Sequence, residues 1–213
     1  MIELRKVNKS YKSNVILKNV DLKLTQQKIK IKGVNGAGKS VLLKVIVGYS
    51  RIDSGEVIID NKRLLTQDYD FIQNAGVSIN SPEFIKSWTG RENLEYLRCI
   101  KKISSSSEMN KLINYFSLDK DINKKYKTYS LGMKQKLRII QALLDKPKYL
   151  ILDEPFDALD KAAKISAQEL ISNYLNEDLE RMLIFTSHDE SDNSFANEMY
   201  IIENYTVNKI DET

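Results

Sequence analysis

Gly33-Val34-Asn35-Gly36-Ala37-Gly38-Lys39-Ser40 fits the pattern G-x-x-x-x-G-K-[ST], a loop that cradles phosphate groups. On its N-terminal side Ile29 and Ile31 alternate with Lys28, Lys30 and Lys32, the period of a strand with one buried face. On its C-terminal side Val41, Leu42, Val45 and Ile46 recur at helical spacing as far as Gly48, which suits a helix C-cap. Strand, glycine loop and helix are the context that the motif requires. Glycines let backbone N–H groups close around phosphate oxygens, and the helix start adds the positive end of its dipole. In this arrangement residues 33–41, named above, form the nucleotide-binding stretch. Lys39 reaches the β- and γ-phosphates, and the Ser40 hydroxyl faces Mg²⁺.

The 213-residue chain is long enough for one good-sized core, or for a main domain with a smaller lobe. Apolar residues make up 42% and charged residues 29%, as in an ordinary globular protein. Lys and Arg number 33 against 29 Asp and Glu. So mild an excess suits a cytoplasmic surface or proximity to anionic lipid and is no sign of nucleic-acid binding. Cys99 is the only cysteine, which excludes an intramolecular disulfide. Its place on an apolar helical face points to a buried structural role. Met1 runs directly into strand-like Ile2-Glu3-Leu4, so no signal peptide is expected. The longest apolar runs are too short to span a bilayer.

Along the chain, residues 1–32 read as short strands: Ile2 and Leu4, then 15–17, then Val20, Leu22 and Leu24, with Tyr11 at the turn between the first two. Asp53-Ser54-Gly55 turns into a strand over 56–60, and Asn61-Lys62 starts another turn. A buried strand over 76–79 ends at Asn80 and is broken by Pro82. The next sixty residues are helical. Thr89 and Glu92 form a capping box ahead of Leu94, Leu97 and Ile100 on one face. The serine run 104–107 reads as a loop, with Ser105 and Glu108 offering a second box before Met109, Leu112, Ile113 and Phe116. After a basic loop (Lys124, Lys125, Lys127), Ser130 caps a third helix that turns Met133, Leu137, Ile140 and Leu144 inward and ends by Pro147. Residues 149–152 form an apolar strand of the kind found in covered parallel sheets. A helix with Ile165, Leu170, Ile171 and Leu175 leads to a second such strand, 182–186, and residues 199–202 make a final one.

In open α/β sheets, sites form at the carboxyl ends of strands. The glycine loop, Asp153-Glu154 and His188 all fall there. Asp153 is placed to hold Mg²⁺, and Glu154 to polarise the water that attacks the γ-phosphate. The alternative is that the two acids only cap the next helix. His188, the sole histidine, follows an apolar strand where a γ-phosphate is within reach, and a neutral imidazole donates one hydrogen bond there. Ser130 and the free N–H groups of its helix make a second anion site.

The order of these pieces resembles the ATPase domain of ABC transporters: the glycine loop, Asn80 after a strand, Ser-Leu-Gly-Met-Lys-Gln (130–135), Leu-Asp-Glu-Pro (152–155), Ala-Leu-Asp (158–160) and Ser-His (187–188). The resemblance implies an α/β P-loop NTPase core with an N-terminal antiparallel β subdomain and an inserted α-helical subdomain. It covers residues 1–213 as one domain, with core and β subdomain in 1–80 and 147–213 and helices in 81–146. It implies a head-to-tail dimer with two ATPs in which the signature residues Ser130, Leu131, Gly132 and Met133 face the nucleotide in trans, with Ser130 and Gly132 contacting the γ-phosphate. By the same resemblance Asp160 is the D-loop aspartate, Tyr11 stacks on adenine, and Asn80 joins Ser40 and Asp153 around Mg²⁺. Asn80 stands where the family usually has Gln or Glu, and Leu131 and Met133 replace a glycine and a glutamine. The resulting signature is similar to that of bacitracin-resistance and lantibiotic-immunity exporters. The implied protein is a peripheral ATPase subunit on the cytoplasmic face of the membrane, driving a separately encoded permease through the region of residues 81–88. A soluble ABC-type ATPase of a cytosolic assembly is the alternative, and a non-hydrolysing nucleotide sensor a third.

Overall fold

The computed structural model describes residues 1–64, 70–80, 84–101 and 103–210. The chain groups into two compact units: Met1–Gln73 with Ile151–Asp153 and Met182–Thr213, and Asn74–Leu150 with Glu154–Arg181.

In the first unit, β1 (Ile2–Tyr11) and β2 (Asn14–Leu24) form one long antiparallel hairpin in place of the three short strands expected. Bulges explain the difference. The register slips between Leu4 and Val7 and again before Lys9, and Lys6 and Asn19 take φ of 47°. Each bulge is held by a side chain: the Asp21 carboxylate accepts from the Lys6 N–H at 2.9 Å, and the Asn8 amide oxygen from the Asn19 N–H at 2.8 Å. An extra residue reverses the alternation beyond it, so a period-two reading cuts one strand into pieces. With β4 (Ser54–Ile59) and β5 (Lys62–Arg63) these strands make a sheet of order β2-β1-β4-β5.

Part of a six-stranded sheet also belongs to this unit, in the order β10-β9-β3-β8-β7, with β3 (Lys28–Lys32), β7 (Tyr149–Leu152, of which Ile151 and Leu152 fall in this unit), β8 (Met182–Thr186), β9 (Glu198–Glu203) and β10 (Thr206–Ile210). β3 runs parallel to both β8 and β9. The expected final strand over 199–202 is therefore not the last. Glu203-Asn204-Tyr205-Thr206 turns back with φ of 47° and 67° at its two central residues, and β10 follows antiparallel. Positive φ at both positions matches the twist of a tight hairpin. Beyond the glycine loop, α1 (Lys39–Val47) ends at Gly48, which has φ of 88°, as the pattern implied.

The second unit contains β6 (Ala75–Ser78), α2 (Gly90–Lys101), α3 (Ser106–Tyr115), α4 (Leu131–Leu143) and α5 (Lys161–Asn176). Both capping boxes form: Thr89 and Glu92 exchange bonds before α2, and Ser105 and Glu108 do so at α3. Only Ser104 and Ser105 of the serine run precede the helix, and Ser106 and Ser107 already lie in α3. Ser130 caps α4 and Asp160 caps α5. The burial expected along α2 fails at its far end. Asn93 and Leu94 are buried, but Cys99 is exposed and Ile100 is 64% exposed, because only the first turns of α2 lie on the core. Among the described residues, no helix is long and apolar enough to cross a membrane.

Candidate nucleotide-binding site

β3 was expected to bury one face. Instead Lys30 is as completely buried as Ile29 and Ile31, so both faces of β3 are covered, while β8 and β9 pair along its two edges. Its ammonium group finds acceptors inside, on the Asp189 carbonyl and the Asn193 side chain.

From β3 the chain enters the glycine loop. The Ala37 N–H donates to the Val34 carbonyl at 3.1 Å, which closes a turn. Gly38 then sits at the α1 N-cap with φ of 106°, and a Cβ on it would come within 2.8 Å of Ile16. Left-handed backbone and close approach together require glycine there. Having no side chain, Gly38 leaves the first N–H groups of α1 uncapped, and the first turn holds no acidic residue. An uncapped helix start of this kind attracts an anion. Lys39 is buried, and its ammonium group donates to the Gly33 and Val34 carbonyls at 2.8 and 3.3 Å. The loop is thereby closed on its own lysine. A groove of about 400 Å³ runs beside it, between Val15 and Ile16 of β2 and the Asn204-Tyr205 turn.

Asp153 follows β7, and one of its oxygens accepts from the Thr186 hydroxyl at 2.6 Å. Thr186 is fully buried at the end of β8, level with Ile31 of β3. The glycine loop, Asp153 and His188 thus leave strands β3, β7 and β8 at their carboxyl ends within one unit, as expected, and His188 is exposed. Tyr11 is the last residue of β1. Its hydroxyl contacts the Ser50 hydroxyl at 3.1 Å, the Lys9 ammonium lies 4.6 Å from its ring centre, and the ring remains 46% exposed.

In the second unit Glu154 takes φ of 48°, a conformation that costs a non-glycine residue energy and is held by its surroundings. The holder is Gln135 of α4, buried, whose amide donates to the Glu154 and Pro155 carbonyls at 3.3 and 2.8 Å. At the start of the same helix the Ser130 hydroxyl accepts from the Met133 N–H at 3.2 Å, and Leu131 is 72% exposed. A Cβ on Gly132 would meet the Ala158 carbonyl at 2.9 Å, so glycine lets the 158–160 turn lie against α4. Asp160 accepts from the Ala163 N–H at 2.9 Å. The cap of α5 is therefore Asp160, which removes the alternative that Asp153 and Glu154 serve only as caps. Asn80 is exposed beyond β6 with φ of 55°.

Three residues here were not foreseen. Thr186 was one polar side chain closing an apolar strand, a signal available in the sequence. Gln135 stands in the run 130–135, whose pattern gives its place but no role. The Asp157 carboxylate, within 4.8 Å of Glu154, had no pattern to mark it.

Residues 17–157 match the ABC transporter family. The chain belongs to that family. YdbJ, an uncharacterized ABC transporter ATP-binding protein of Bacillus subtilis, is 35% identical over 163 residues, 76% of this chain and 53% of that protein. SrtF, a lantibiotic transport ATP-binding protein of Streptococcus pyogenes, is 30% identical over 184 residues, 86% of this chain and 79% of its own. The chain thus spans about half the length of the first of these relatives. The dimeric bacterial ABC transporter cassette MJ0796 shares the fold with a TM-score of 0.85 and 25% identity, over the whole of both chains. The fold is the ABC ATPase cassette, α/β with an antiparallel β subdomain and helices, as the resemblance implied.

Proposed function

We propose that this ABC cassette binds and hydrolyses ATP and powers a separately encoded membrane permease, with export of peptides or antibiotics as its task. One observation carries the reading: an uncapped, acid-free helix start closes a glycine loop around a buried lysine. These are the donors that a triphosphate needs. Residues 33–41 hold the phosphates, and Tyr11 offers the free part of its ring to the base. The oxygen donors of Ser40, Asp153 and Asn80 suit a hard cation, and Asp153 is already oriented by Thr186. Bound Mg²⁺ supplies charge neutralisation at the phosphates. Glu154 takes the role of base toward the attacking water, and His188 donates to the γ-phosphate.

Two copies pair, as MJ0796 does, and Ser130, Leu131, Gly132 and Met133 of one meet the nucleotide of the other, with Asp160 at the subunit contact. In this reading residues 1–80 and 147–213 serve as core and β subdomain of one domain, and 81–146 as its helical subdomain. The chain works at the cytoplasmic face of the membrane. The permease docks on the region of residues 81–88, of which 81–83 lie outside the described residues. Phe84 and Trp88 there pack against Tyr126 and Tyr96 with ring centres 5.2 and 5.5 Å apart, whereas Ile85 is 42% exposed and open to a partner. The lantibiotic relative supports the export reading.

The test is ATP binding and turnover in two variants. Lys39→Ala is expected to lose nucleotide binding. Glu154→Gln is expected to bind ATP normally and lose turnover by about a hundredfold or more. Normal hydrolysis in Glu154→Gln would remove Glu154 from the role of base.

A further inference from the structure

Lys30 is a charged side chain with no exposed surface, in the middle of a sheet, level with Phe185 of β8 and Met199 of β9. A buried ammonium is tolerated only where acceptors replace its water. The acceptors here include the Asp189 carbonyl at 2.6 Å and the Asn193 amide oxygen at 2.9 Å. Both lie in the stretch that follows His188, the second within the short 3₁₀ helix Glu190–Phe195.

The residue before His188 is tied down as well. Ser187 and Asp192 are both buried, and the Ser187 hydroxyl donates to the Asp192 carboxylate at 2.6 Å. The Asp189 N–H returns a bond to the Ser187 hydroxyl at 3.0 Å, and the Asp189 side chain accepts from the Ser191 N–H at 2.9 Å. His188 itself is exposed. Both of its chain neighbours are thus anchored, Ser187 by Asp192 and Asp189 by Lys30, and the imidazole projects from a backbone that has little freedom left.

We propose that Lys30 is a positioning residue for His188. Its ammonium fixes the Asp189 carbonyl, and through it the point from which the imidazole leaves the end of β8. Because β3 also delivers the chain into the glycine loop, one strand sets the place of both the phosphate cradle and the histidine. Lys30 is fully buried and acts on His188 through the 189–193 stretch, by way of the Asp189 carbonyl and the Asn193 side chain. The proposal rests on the reading of His188 as a γ-phosphate contact.

His188 is the only histidine, so its ring gives the one imidazole signal in a ¹H–¹⁵N spectrum. Lys30→Met keeps an unbranched side chain about as long as the lysine stem and removes the ammonium. The expected result is a displaced or broadened His188 ring signal, with kcat for ATP reduced roughly tenfold. KM for ATP is expected to change by less than about twofold, because the glycine loop is untouched. Asn193→Ala, which leaves the ammonium in place and deletes one acceptor, moves the same two readouts in the same direction by less. It replaces Lys30→Met as the deciding variant if the latter does not fold. An unchanged ring signal in the folded variant, or a loss confined to KM, overturns the proposal. His188→Ala is measured beside them. If it hydrolyses ATP as the unaltered chain does, the role of His188 falls, while the ring signal still reports whether Lys30 positions it.

Discussion

A hydroxyl 2.6 Å from the carboxylate of Asp153 decides how that acid is presented. Thr186 is fully buried, so its bond is protected from water and holds Asp153 in one orientation. Thr186→Val preserves the shape of the strand end and removes the bond. The Mg²⁺ concentration for half-maximal ATP turnover is then expected to rise about tenfold, as for other groups that orient a metal ligand. Mg²⁺ titrations of the ATPase rate check this, and an unchanged midpoint would show that the bond does not serve the metal. The glycines, Lys39, Ser40 and Asp153 were legible in the sequence because short local patterns encode them. The partners that orient the acids were not. Thr186 reaches Asp153 across 33 positions, and Gln135 reaches Pro155 across 20, so no local pattern contains either pair.

At the scale of single elements, the helix starts were the most readable features. Ser105 with Glu108, Thr89 with Glu92, and Ser130 each bond to backbone within three residues, and chemistry confined to one turn leaves a compact signature. At α3 this chemistry titrates. The Lys146 ammonium, then the Ser105 N–H and hydroxyl, hold the Glu108 carboxyl at about 2, against an ordinary value of 4.5. A folded value below the unfolded one gives stabilisation that is complete above pH 4.5 and is lost as pH falls toward 2. Glu108→Gln should therefore flatten the dependence of stability on pH across that window, as read from urea unfolding at successive pH values. An identical acid limb in both proteins would mean that Glu108 contributes nothing. Strands were less readable than helices. The bulges at Lys6 and Asn19 hid the length of β1 and β2, and β10 lay beyond a turn whose Asn204 was the one available signal.

For the whole molecule, the proposed assembly is a pair of copies with nucleotide between them. Leu131 is the first residue of α4 and strongly exposed. A glutamate there favours the helix dipole within its own copy and repels the phosphates of the other. Leu131→Glu, combined with Glu154→Gln, should leave ATP binding by each copy intact and abolish the ATP-dependent dimer in light scattering. A dimer that persists would place the subunit contact elsewhere. By itself the sequence determined the family, the strand, glycine loop and helix around residues 33–40, the place of the acids after β7 and the helix caps, because each is written in contiguous residues whose backbone geometry follows from their own chemistry. Only the tertiary structure decided that Lys30 is buried, that Cys99 and Ile100 are not, and that Thr186 and Gln135 orient the acidic residues. Burial is a property of what covers a side chain, and for these residues the covering groups lie on other elements of the fold.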